Sequence, residues 1–100
     1  MDTNELKGIT LSGFRDIDSS SMALVNTAIR KHWRRMNELA RKIESLHITL
    51  KQVHEREKSE KYEIHAKLLD NGKVYNSKVT EHNLLIAIDE VLNKIINEID

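Results

Sequence analysis

The sequence predicts an α+β domain of element order β-α-β-β-β-α, in which a four-stranded sheet carries two helices packed on one face. Three observations carry this expectation. Two long segments repeat apolar residues at spacings of three and four, the period of a helix with one buried stripe. Three shorter segments alternate apolar and polar residues, the period of a strand with one buried face. Between the last two of these stands Asn71-Gly72, the strongest short hairpin signal a sequence offers. One hundred residues supply one modest core, so residues 1–100 are expected to form a single domain.

The first strand is read at Ile9 to Phe14, where β-branched and aromatic residues lie beside glycines. Asp18, Ser19 and Ser20 then offer N-caps for the first helix. From about Ser20 to Glu44 the residues Val25, Ala28, Ile29, His32 or Trp33, Met36, Leu39, Ala40 and Ile43 recur on one face, over about six turns. In "LHITLKQV", residues 46–53, Leu46, Ile48 and Leu50 alternate with His47, Thr49 and Lys51. "HEREKSEK" has no apolar residue and reads as a solvated connection or as the protruding ends of a hairpin. "YEIHAKLL" turns Tyr62, Ile64, Ala66 and Leu68 one way and Glu63, His65 and Lys67 the other. After the turn, "VYNSKV" pairs back with Tyr75, Ser77 and Val79 toward the core. In the last helix Leu84, Leu85, Ile88, Val91, Leu92, Ile95 and Ile99 share a face, with Thr80 or Asn83 as the cap. One-sided strands and one-sided helices are satisfied together by a mixed or antiparallel sheet with its second face open to water.

Composition narrows the functional classes. Apolar residues make up 39% and charged residues 32%, which is globular rather than disordered. The absence of cysteine excludes disulfides, thiolate metal sites and a cysteine nucleophile, and agrees with a reducing cytoplasm. "MDTNELKGIT" lacks a signal pattern and no apolar run approaches about 18 residues, so a soluble cytoplasmic protein without membrane contact is expected. No GxSxG, Walker or dinucleotide-binding glycine pattern occurs, and the three glycines leave little scope for a phosphate-cradling loop. Asp89 and Glu90 diverge by about 100° on a helix and make a poor acid–base pair. His47 and His65, with Thr49, Lys51, Lys67 and Lys78 nearby, lack the further ligands that a zinc site needs; they read as exposed polar residues of the open sheet face, the alternative being a cationic or hydrogen-bonding face that touches nucleic acid. No enzyme, catalytic residue, metal, cofactor or small-molecule substrate is therefore expected.

The charge pattern points elsewhere. The net charge is zero, yet "RKHWRRMNELARK", residues 30–42, carries six basic side chains and one acidic one. Read as a continuous helix, Arg30, Lys31, Arg34, Arg35, Arg41 and Lys42 fall on an arc of roughly 140° opposite the apolar stripe. A positive face near a helix C-terminus is favoured by the macrodipole. A face built for solubility, however, mixes signs to gain pairs one turn apart. Here Arg30 and Arg34, and Lys31 and Arg35, are like-charged neighbours. The pattern favours a surface that meets phosphates.

Several local strings resemble the ribosome hibernation factors, the family of protein Y and hibernation-promoting factor, in its short form. In "IAIDEVLNKI", residues 86–95, Ala87, Ile88, Asp89, Leu92, Lys94 and Ile95 fit the string that opens the family's last helix. Lys31, Trp33, Arg35 and Met36 stand where its first helix has Lys-Lys-Phe and its neighbours. "LHITLK" is similar to its Val-His-Val-x-Leu-Lys strand, with His47 and Lys51 matching. The resemblance runs from about residue 9 to 99. It implies a β-α-β-β-β-α domain that binds the small ribosomal subunit and its rRNA around the mRNA channel and tRNA sites. Such a domain inhibits translation and stabilises idle ribosomes under stress by steric occupancy. The RNA-binding residues carried over are Lys31, Arg35, Lys51 and Lys94; Arg30, Arg34, Arg41 and Lys42 join them on the helical wheel alone. Asn97 and Glu98 stand where Arg-Gln is common in the family, and no basic tail follows. The C-terminal dimerisation domain of long members is also absent, so ribosome pairing by that route is not expected.

Two other readings compete. A double-stranded RNA binder would need a basic, glycine-containing entry to its last helix, and "HNLLIAID" has none. A protein-interaction module, forming a homodimer through the open sheet face or last helix, would use Ile86 and Ile96, which fall off the main stripe.

Overall fold

A computed structural model of the chain describes residues 8–54 and 60–100. The elements are β1 (Ile9–Ser12), α1 (Ser19–Leu39), β2 (Ile43–His54), β3 (Glu60–Asp70), β4 (Lys73–Glu81) and α2 (Leu84–Ile99). The sheet order is β1-β2-β3-β4. β1 lies parallel to β2 across the α1 connection, while β2–β3 and β3–β4 are antiparallel hairpins. The sheet is therefore mixed.

Alternation decides which face is buried. Leu46, Ile48 and Leu50 of β2, Ile64, Ala66 and Leu68 of β3, and Val79 of β4 form one cluster with Val25, Ile29 and Met36 of α1 and Ala87, Ile88, Val91, Leu92 and Ile95 of α2. Both helices thus cover one face of the sheet. Removing these apolar side chains from water, at about 25 cal/mol per Å², is the main stabilising term. On α2 the expected stripe is buried along its middle, and its ends, Leu84, Leu85 and Ile99, are half-buried. Trp33 rests at the margin of the core, with its ring beside Gly8 at the start of β1.

Caps and turns follow local chemistry. Asp18 caps α1 by accepting from the Ser21 N–H at 3.0 Å, and Asn83, not Thr80, caps α2 by accepting from the Ile86 N–H at 3.0 Å. Asn71 and Gly72 have φ of 52° and 86°, the left-handed pair that a two-residue type I′ hairpin needs. β1 stops at Ser12, short of the expected Phe14, because Gly13 turns the chain at φ 85°. A Cβ at Gly13 would overlap the Leu50 carbonyl oxygen. Phe14 then leaves the strand and enters the core.

The first helix departs most from expectation. It ends at Leu39 with Ala40 as C-cap, not at Glu44. The buried Asp70 carboxylate accepts the backbone N–H groups of Lys42 at 2.7 Å and Arg41 at 3.3 Å. The Lys42 carbonyl in turn accepts from the Asn71 N–H at 2.9 Å. These bonds hold residues 41–42 in a corner, and Ile43 opens β2. Arg41 and Lys42 are thus not part of the helical stripe, contrary to the wheel. In "HEREKSEK", residues 55–59 lie outside the described residues, while His54 and Glu60 are partners in the β2–β3 ladder.

Candidate nucleic-acid interface

Lys31, Arg34 and Arg35 are exposed on α1 and Arg30 is half-exposed beside them. They occupy two successive turns, so their charges sit close together on one surface. The Arg35 guanidinium donates to Glu38 at 3.1 Å, with both side chains more than half exposed. The Arg30 guanidinium donates to the Thr27 hydroxyl at 3.3 Å. Lys31 and Arg34 make no ion pair with the described residues. Against these four bases stand Glu38 on α1 and the half-exposed Asp89 of α2, which leaves the surface net positive. Guanidinium forks suit phosphate oxygens in two-point contacts, while the ammonium of Lys31 acts as a point charge.

The patch borders a groove between the two helices. Lys31, His32 and Arg35 face Asp89, Asn93 and Ile96 of α2 around a cavity of about 420 Å³. His32 is buried, 4% exposed. Its Nδ1 lies 2.8 Å from the Ala28 carbonyl, and its Nε2 lies 3.7 Å from Asp89 Oδ1. A carbonyl only accepts, so Nδ1 carries the proton. His32 is thus a structural link between helices and an inner wall of the groove.

The remaining expected residues lie apart. Arg41 and Lys42 are exposed at the corner after α1. Lys51 is exposed on the open face of the sheet, opposite Glu63 in register. Lys94 reaches from α2 to the β4 edge, donating to the Lys78 carbonyl at 3.3 Å. The structure therefore brings together Arg30, Lys31, Arg34 and Arg35, and separates Lys51 and Lys94 from them.

The open face holds further cations. Pairing sets Thr10, His47, Lys67 and Asn76 in one row across the strands, and Ser12, Thr49, His65 and Lys78 in the next. The Ser12 hydroxyl lies 3.0 Å from His47 Nε2. Lys67 and Lys78 are exposed and were not among the residues singled out for RNA. Strand alternation, which puts both on the solvent side, is the signal that could have found them. Among the described residues no three His, Asp or Glu side chains gather as a metal site, and no helix is long and apolar enough to cross a membrane.

Two acids carry shifted proton affinities. The Ser20 hydroxyl and the Ser21 groups hydrogen-bonded to Asp18 hold its carboxyl near 2, below the ordinary 3.8. The hydrogen bond that protonated Glu90 donates to the Glu81 carboxylate, partial desolvation and the Glu81 charge push Glu90 upward.

No family model matches the chain, and no curated protein matches it in sequence. Among solved structures it is similar to a ribosomal subunit interface protein from Coxiella burnetii. The two share 15% identity over 91% of each chain, with a TM-score of 0.63. At that identity the likeness establishes a common fold.

Proposed function

We propose that this protein binds the small ribosomal subunit through Arg30, Lys31, Arg34 and Arg35, and silences idle ribosomes by occupying the channel used by mRNA and tRNA. The observation that carries the reading is the exposed α1 patch, where four bases meet one acid. The shared fold with a ribosomal subunit interface protein and the resemblance of "IAIDEVLNKI" and "LHITLK" to the hibernation factors support it. The action is occupancy, with no bond made or broken. Each cation that meets a phosphate releases condensed counterions, so four contacts give a slope of log K against log salt of about −3 to −4. A-form rRNA offers its backbone and wide minor groove, so shape is read more than sequence. Such a partner sets the site of action in the cytoplasm.

The test is cell-free translation with added protein, together with sedimentation through a sucrose cushion with small subunits. Dose-dependent inhibition with co-sedimentation is expected. Inhibition without co-sedimentation, or neither, overturns the reading.

A second reading, a homodimerising interaction module, is favoured by the exposure of Ile86 at 48% and Leu24 at 56%. It predicts self-association that is insensitive to moderate salt.

A further inference from the structure

We infer that the open face of the sheet is a second RNA-phosphate surface, so that one molecule holds two RNA segments, one on each side. This rests on the RNA reading of α1 and extends it to the opposite face.

The charges of that face are nearly all of one sign. Lys51 of β2, Lys61 and Lys67 of β3 and Lys78 of β4 share it by strand alternation and register. Its one acid among the described residues is Glu63, which pairs with Lys78 at 3.3 Å. With rows about 6.7 Å apart along the strands and neighbours about 4.8 Å apart across them, Lys51, Lys67 and Lys78 lie within roughly 15 Å of one another. Imidazoles of His47 and His65 stand between them, with Thr10, Ser12, Thr49, Asn76 and Thr80 as hydroxyl and amide donors. A sheet face made only for solubility interleaves Glu with Lys, because opposite charges across strands stabilise and like charges do not. The acids Asp89, Glu90 and Glu98 lie instead on α2, in the other layer.

The chemistry of the face selects the occupant. Its centre has no large apolar side chain; Leu69 and Val74, paired in register, lie at one end. Apolar self-association therefore has little to bury there. Ammonium, imidazole and hydroxyl groups spread over a flat surface suit a phosphate backbone.

Position then makes the protein bivalent. The α1 patch lies on the helix layer and Lys51 and Lys67 lie on the opposite side of the sheet, in a molecule whose smallest Cα extent is 17 Å. A single straight duplex cannot touch both faces. Two RNA segments can, and tethering both through one rigid body raises the effective concentration of the second.

The experiment uses two 16-base-pair RNA duplexes, one with a donor dye and one with an acceptor. The wild-type chain, at low salt, is expected to bind two duplexes and bring the dyes into energy transfer. Lys51→Glu/Lys67→Glu should bind one duplex, lose transfer and lower the salt slope for small subunits by about 2. The milder Lys51→Gln/Lys67→Gln should fall between the two. Lys51 and Lys67 are both exposed, and unchanged circular dichroism confirms folding. Full transfer and an unchanged slope in the Glu variant overturn the inference and leave the α1 reading standing. Retained binding of both duplexes by Arg30→Glu/Arg34→Glu/Arg35→Glu instead sinks the α1 reading. A wild-type dimer that becomes monomeric in Lys51→Glu/Lys67→Glu makes the face a self-interface and also overturns the inference.

Discussion

His32 Nε2 lies 3.7 Å from Asp89 Oδ1, joining the middle of α1 to α2 beneath the basic patch. The two partners contribute unequally, because His32 is 4% exposed and the Asp89 side chain is 51% exposed. Water screens the Asp89 side of the contact, while burial makes the imidazole a packing element.

His32→Ala removes a buried ring and its bond to the Ala28 carbonyl, and should cost about 2–3 kcal/mol. Asp89→Asn should cost under about 1 kcal/mol. Urea unfolding of both variants checks this, and equal losses would contradict it.

Acid should weaken the start of α1. Asp18 has a folded pKa of about 2 against an ordinary 3.8, so its contribution is full above about pH 4 and is lost as pH falls toward 2. Asp18→Asn keeps a capping acceptor but removes the titration. A melting series from pH 5 to 2 should show a steeper decline for the wild type than for the variant; parallel curves would refute the assignment.

Glu90 acts in the opposite sense. The raised pKa of Glu90 means that its contribution is present at low pH and is lost as pH rises through the folded value. At neutral pH the two carboxylates repel. Glu81→Gln should therefore raise the melting midpoint at pH 7, with a gain that shrinks as pH falls through the raised Glu90 value. A gain independent of pH would point to another cause.

Much of this fold is legible from local signals. The Asn71-Gly72 turn, the Asp18 and Asn83 caps and the alternation of β2 and β3 depend on neighbours in sequence, and these are the features that agree. The end of α1 depends on Asp70, which is 28 residues from Lys42. Helical periodicity continues through Ala40 and Ile43 regardless, so the wheel carried Arg41 and Lys42 onto a face that the chain leaves at Leu39. The site shows the same division. Arg30, Lys31, Arg34 and Arg35 cluster because one helix carries them. The separation of Lys51 and Lys94 from that cluster follows from strand pairing and layer order, which no local pattern encodes.

The most direct measurement is the salt dependence of small-subunit binding, wild type against Arg30→Glu/Arg34→Glu/Arg35→Glu, by co-sedimentation between about 50 and 200 mM salt. Wild-type binding is expected to fall steeply over that range, and the variant is expected to be folded but bound weakly or not at all at the lowest salt. Wild-type binding that ignores salt, or a variant that binds as the wild type does, would contradict the claim that the α1 patch meets ribosomal RNA.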